Sequence, residues 1–237
     1  MAIVELVLEA TGKNALGLAH MERIIRETRA AGGAPLLVRG AGDAFSAGLD
    51  LKEVAGNDLE GMRRFLATLE EMVEALYDYP GPMVAAVNGH AIAGGCVIAL
   101  CAEHRVATSS PRARIGLNEV ALGVEFPPKT LAMVRRRVAP RAVERVVLGA
   151  ALFAPQDALG LSLVDELADD PVAAGRAALE RLAAHPAVAY TATKRALRDG
   201  GLHVGDDEWR RFQAEALPRW AGDSVKATLR AVLGGKA

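Results

Sequence analysis

Four residues in this chain stand in settings where their types carry chemistry: Gly94, Gly95, Glu119 and Ser46. Gly94 and Gly95 follow an apolar run, Met83 to Val87, and an Asn88-Gly89 break, and they open an apolar helix pattern. A strand–turn–helix junction of this kind presents unpaired backbone N–H groups, a ready site for a developing negative charge. The same pair also serves as a tight turn with close helix–strand packing. Glu119 sits between Ile115-Gly116-Leu117 and Val120-Ala121-Leu122. A carboxylate in such company is exposed at a helix start, paired, or used in catalysis. Glu125, just before Pro127-Pro128, has the same alternatives.

Ser46, in Ala44-Phe45-Ser46-Ala47-Gly48, is one residue short of a nucleophile elbow because Ala44 replaces the first glycine. His90, His104, His185 and His203 lie downstream, but no His-Gly-Gly oxyanion segment accompanies them, so a turn serine is the better reading. Gly40-Ala41-Gly42 matches half of a dinucleotide fingerprint; Phe45 holds the third glycine position, which argues against a nicotinamide or flavin site. Arg135-Arg136-Arg137 with Arg141 and Arg145 suits phosphate or, more simply, a solvated or inter-subunit helix face. Cys96 and Cys101, five apart with no histidine cluster, suit a buried helix better than a metal site.

The elements that must position these residues follow from pattern. Ile3 to Leu8 reads as a strand, Thr11 to Asn14 as a turn, and Ala19 to Ala31 as an amphipathic helix ended by Gly32-Gly33. Pro35 opens the strand Leu36 to Val38; Asp58 to Tyr79 is a long helix stopped by Pro80-Gly81-Pro82. Strands are expected again at Met83 to Val87 and His104 to Ala107, with a short extended piece at Arg114 to Glu119. From Lys129 onward no further strand is expected. Helix patterns cover Lys129–Val138, Arg141–Leu148, Pro155–Leu161, Val172–Ala184, Val188–Arg198, Asp206–Leu217 and Val225–Leu233. The pattern predicts an α/β body, 1–138, and a helical region, 139–237.

With 237 residues, 51% of them hydrophobic, the chain fills one large core. A net charge of −1 and an aromatic content of 4% argue against nucleic acid or an anionic membrane as partner. The N-terminus lacks the basic-then-apolar pattern of a signal peptide and no apolar run reaches a membrane-spanning length, so a cytoplasmic, reducing setting is expected.

Three stretches together resemble the crotonase (enoyl-CoA hydratase/isomerase) family: Phe45-Ser46-Ala47-Gly48-Leu49-Asp50-Leu51, Val87 to Cys96, and Ile115-Gly116-Leu117-Asn118-Glu119-Val120-Ala121-Leu122-Gly123. Their order and separations fit, and the likeness runs from about residue 3 into the C-terminal helices. The resemblance implies a spiral of ββα units with a helical trimerisation region, acyl-CoA thioesters as substrate, and a homotrimer or dimer of trimers. It implies no metal and no separate cofactor, coenzyme A being part of the substrate. Carried over by position, the backbone N–H groups of Leu49 and Gly94 would hold the thioester oxygen, where an enolate's charge develops.

Hydratases of the family carry two glutamates. Glu119 matches one; the other position holds Val97, which cannot move a proton. Shifting a double bond from C3 to C2 needs only one base, and the Leu-Asn-Glu form resembles that of the single-glutamate isomerases. The resemblance therefore implies isomerase chemistry through Glu119. Alternatives are a hydratase helped by Glu125, an acyl-CoA hydrolase or decarboxylase, and a non-catalytic acyl-CoA binder. The likeness further places Lys13 and Ala15 in the turn bordering the adenine-ribose part of coenzyme A, with Ala47 and Asp50 lining that region through main-chain contacts. Gly95, Val97, Leu122 and Glu125 complete the expected substrate-contact set, with Phe126 and the helix from Asp58 as further acyl walls.

Overall fold

The computed structural model describes residues 2–235. Five parallel strands form the main sheet in the order β1 (Val4–Leu8), β2 (Leu36–Gly40), β4 (Met83–Val87), β6 (His104–Thr108), β8 (Glu166–Ala168). A smaller parallel sheet joins β3 (Ala44–Ser46), β5 (His90–Ile92) and β7 (Ile115–Gly116). Three successive turns of the chain (β2–β3, β4–β5, β6–β7) thus give one strand to the large sheet and the next to the small sheet before crossing back by helix: a spiral of ββα units. The crossover helices are α1 (Thr11–Asn14, a single irregular turn), α2 (Leu18–Ala30), α3 (Leu51–Gly56), α4 (Leu59–Tyr77) and α5 (Gly94–Cys101). The C-terminal half adds α6 (Pro128–Arg137), α7 (Val143–Val147), α8 (Pro155–Gly160), α9 (Pro171–Ala183) and α10 (Ala187–Arg198). It ends with α11 (Asp206–Arg211), α12 (Leu217–Trp220) and α13 (Asp223–Gly234), the first two joined by a wide helical turn.

Local sequence explains most of these elements. β4, Met-Val-Ala-Ala-Val, is buried at every position, as a central parallel strand covered on both faces must be. α4 begins at the Asp58 side chain, which accepts from Gly61 N at 2.8 Å, and buries Met62, Phe65, Leu66, Leu69, Met72, Val73 and Leu76 at helical spacing. The Asn88-Gly89 break is a tie between the sheets. Asn88 accepts from Gly40 N at 2.8 Å and donates to Gly42 O at 2.9 Å. A Cβ on Gly89 would lie 2.0 Å from Asp43 O, so only glycine lets the chain pass there.

Two expectations are corrected. The sequence marked no strand between Gly89 and the helix that opens at Gly94, but β5 lies there, paired with β3 and β7, and Ala44–Ser46 is a strand where the sequence suggested only a loop. Three-residue strands are too short to show alternation. Nor are the elements after Lys129 all helical, because β8 pairs in parallel with β6 as the edge of the large sheet. α9 then covers the outer face of that sheet, seating Ala178 and Leu179 with Leu37, Val84, Ala86 and Val106 in a second apolar cluster. Gly175 makes the close approach, since a Cβ there would meet Ala86 Cβ at 3.2 Å.

Candidate active site

The loop after β3 is held by Ser46 and Asn14. The Ser46 hydroxyl, fully buried, donates to Asn14 O at 2.8 Å and accepts from Gly48 N at 3.2 Å. Asn14 in turn donates to the carbonyls of Ala41 and Ala44, both at 2.9 Å. Ser46 is therefore a scaffold residue and not a nucleophile. It also explains Gly95: a Cβ there would come within 2.4 Å of Ser46 O, so Gly95 lets α5 dock on the loop and is no part of the cavity wall.

This scaffold aims two main-chain amides. Leu16 and Leu49 form a parallel bridge in which Leu16 N donates to Gly48 O at 2.8 Å and Asp50 N donates to Leu16 O at 3.1 Å. In such a bridge the middle residue's own N–H points the other way, so Leu49 N–H is left for whatever enters the cavity that Leu49 lines. Gly94 is the first residue of α5, and Val97, donating to Ala93 O at 2.9 Å, is the first of its amides bonded back. The Gly94 N–H thus belongs to the unpaired opening turn of a helix. The two segments touch: a Cβ on Gly48 would lie 3.4 Å from Gly94 N, and one on Gly94 would lie 3.4 Å from Leu49 Cδ2. Gly48 has φ +86°, and Ala93 is held at φ +48°, ψ −118°, a conformation rare for alanine that turns the chain sharply into α5.

Both amides border a cavity of about 320 Å³. Its wall is apolar (Ala47, Leu49, Val97, Leu122 and Phe126 among others) apart from Asn118, Glu119 and Thr130. Glu119 is only 7% exposed. Its Oε2 is buried and, among the described residues, receives no hydrogen bond; the same holds for Oδ1 of Asn118. Burial, only partly offset by a bond from the residue's own backbone N–H, pushes the Glu119 carboxyl up to about 7. The site therefore pairs free N–H donors with a carboxyl poised to exchange a proton near neutrality, in a largely apolar cavity. A larger and more open groove, about 950 Å³ between α4 and α10, is lined by Glu71, Glu74, Asp78 and Arg195 and contains neither amide.

Other expected contacts lie elsewhere. Lys13 is exposed, with its carbonyl accepting from Ala47 N at 3.0 Å, and neither it nor Ala15 borders the cavity. Asp50 caps α3, accepting from Lys52 N at 2.9 Å and Glu53 N at 3.2 Å. Glu125 is corrected: it faces outward and pairs with Arg219 at 2.6 Å, because the turn after Leu122 carries its side chain to the surface while Phe126 next to it faces in. Arg137 of the arginine run caps α5, donating to the Leu100 and Ala102 carbonyls. Asn118, Thr130, Trp220, Leu229 and Val232 line the cavity without having been expected to. The last two sit on the apolar stripe of α13, a pattern that marks a helix but not its neighbour. Among the described residues no group of three or more His, Cys, Asp or Glu side chains gathers to hold a metal, and no helix is long and apolar enough to cross a membrane.

Two main-chain amides bordering a cavity with one buried acid are set here on a spiral of ββα units, the crotonase fold. The chain belongs to the enoyl-CoA hydratase/isomerase family, whose model matches residues 23–211. Members of that family bind acyl-CoA substrates and are typically oligomeric. Among curated proteins, the mouse mitochondrial enoyl-CoA delta isomerase 1 is 37% identical over 123 residues, 52% of this chain and 43% of that protein. The Arabidopsis thaliana peroxisomal enoyl-CoA delta isomerase 2 is 33% identical over 144 residues, 58% of this chain and 60% of that protein. The chain thus matches about half the length of these relatives. Among solved structures, human mitochondrial delta3-delta2-enoyl-CoA isomerase shares the fold at a TM-score of 0.89, with 24% identity over 99% of this chain and 93% of that one. A probable enoyl-CoA hydratase, EchA3, of Mycobacterium tuberculosis superposes with a TM-score of 0.77 and 26% identity over 99% of this chain and 92% of that one.

Proposed function

We propose that this protein converts 3-enoyl-CoA thioesters to 2-enoyl-CoA thioesters. The observation that carries the reading is the solitary Glu119, whose buried Oε2 has no donor, facing a cavity where Val97 stands at the position of a second carboxylate. In this reading the thioester oxygen lies between the Leu49 and Gly94 N–H groups. Glu119 removes a proton from C2, and the C2–H electrons move into a dienolate whose charge rests on that oxygen. The same carboxyl returns the proton to C4, leaving the double bond between C2 and C3. Nothing is added or lost, so no cofactor is required and coenzyme A enters only as part of the substrate. Each oxyanion donor contributes roughly 3 kcal/mol to the transition state.

Hydration would ask one carboxyl both to activate water and to serve C2, inside a wall that is almost wholly apolar. Assay of 3-enoyl-CoA isomerisation beside 2-enoyl-CoA hydration tests the choice: isomerisation faster than hydration and abolished by Glu119→Gln supports it. Hydration that outruns isomerisation and depends on Glu119 overturns it. As assembly we propose a homotrimer or a dimer of trimers, supported by two exposed apolar side chains on α10, Val188 (85% exposed) and Leu197 (75%). Sedimentation equilibrium tests this.

A further inference from the structure

The cavity wall has two parts of different origin. The reacting groups come from the β3 loop, the start of α5 and the Asn118-Glu119 turn; Trp220, Leu229 and Val232 are added by the last two helices. Trp220 of α12, 3% exposed, is locked by donating its indole N–H to Glu125 O at 2.9 Å, beside Phe126. α13 packs against α3 and against the 120–122 turn, presenting Leu229 and Val232 to the cavity. It therefore rests on the helix that follows the Leu49 loop and on the turn that follows Glu119.

We propose that Trp220, Leu229 and Val232 act as the stop for the acyl chain and make this a medium-chain enzyme, with best substrates of about eight to ten carbons. The proposal rests on the thioester reading above, which fixes the other end of the chain at Leu49 and Gly94. A methylene-sized group occupies roughly 30 Å³, the share of one water in the liquid. A cavity of about 320 Å³ therefore holds on the order of ten chain atoms before the tail meets the C-terminal helices. Trp220 is braced by its hydrogen bond and Leu229 is 1% exposed in the core, so these two do not yield easily. Val232 is partly exposed and is the position at which the stop is adjustable.

The test is the affinity of the full-length protein for saturated acyl-CoAs from hexanoyl to hexadecanoyl, which needs no turnover. Each methylene accommodated in the cavity tightens Kd by up to about fourfold. Kd is expected to fall from hexanoyl to octanoyl or decanoyl and to be at least tenfold weaker again at tetradecanoyl. Val232→Ala moves the optimum longer by about two carbons, and Val232→Phe moves it shorter. The proposal is overturned if wild-type Kd keeps tightening to hexadecanoyl, or if both variants keep the wild-type profile. Absence of 3-enoyl-CoA turnover would instead sink the functional reading, and the binding profile would still decide where the tail stops.

Discussion

Glu119 and Glu70 are equally buried, at 7% and 4% exposure, yet only Glu119 keeps an unsatisfied oxygen beside a cavity. Glu70, on α4, accepts from Lys129 N at 3.0 Å, Thr130 N at 2.9 Å and Thr130 Oγ1 at 2.9 Å, closing the start of α6. Burial raises its pKa, but all three bonds oppose the rise. Glu119 has no outside donor, and its Oε2 is unsatisfied beside a cavity. The contrast teaches that burial of a carboxylate marks nothing by itself. A structural carboxylate is surrounded by donors at rest, whereas a catalytic one keeps an unmet valence for the substrate's proton. Glu103 repeats the structural pattern, with Lys194 at 2.9 Å, Met83 N at 2.7 Å and Arg198 around it.

The largest effect that would break this comparison is expected at Glu119. Glu119→Gln lowers kcat by about 10²–10⁴-fold if the carboxyl is the proton carrier, measured as 3-enoyl-CoA isomerisation. The same change stabilises the fold in alkali. The folded pKa is about 7 against the ordinary carboxylate value of 4.5, so between those values the native state holds a proton that the unfolded state lacks. Wild-type stability therefore falls as pH rises from 4.5 through 7. Above that, Glu119→Gln is expected to be more stable by up to roughly 3 kcal/mol, and about equal near pH 4.5, in urea titrations.

Glu70→Ala should show the opposite signature. It strands the Lys129 and Thr130 amides and costs about 3 kcal/mol of stability at low pH, a cost that shrinks as pH rises because burial raises this carboxyl's pKa as well, with far less effect on kcat. Equal losses of kcat at the two positions would erase the distinction. Next in size is the pH profile: kcat/KM is expected to fall about tenfold per unit below pH 7, as Glu119 takes up its proton. Thr130→Val, which removes one of Glu70's donors while keeping the cavity's shape, costs about 1 kcal/mol. Smallest of all is Glu125→Gln, whose surface pair with Arg219 is about half exposed. Turnover and Tm should not change, and a large loss of activity there would return Glu125 to the site.

Much of this was legible in order along the chain. The apolar run of β4, the 3–4 spacing of α4, the Gly-Gly opening of α5 and the setting of Glu119 each declare themselves within a dozen residues. Local pattern is enough there, because burial on both faces, helical amphipathicity and glycine's conformational reach all act between near neighbours. The three motifs, read together, also gave the family and the two amides. β3, β5 and β8 were not legible, because strands of three residues become strands only through partners dozens of positions away. Glu125 and Phe126 are adjacent in sequence, and only the turn after Leu122 decided that one faces water and the other the cavity. The same holds for α13, whose stripe of Val225, Leu229 and Val232 specifies a helix with an apolar side. Where that side docks depends on the shape left open by α3 and the 120–122 turn, a property of the assembled fold and of no single segment.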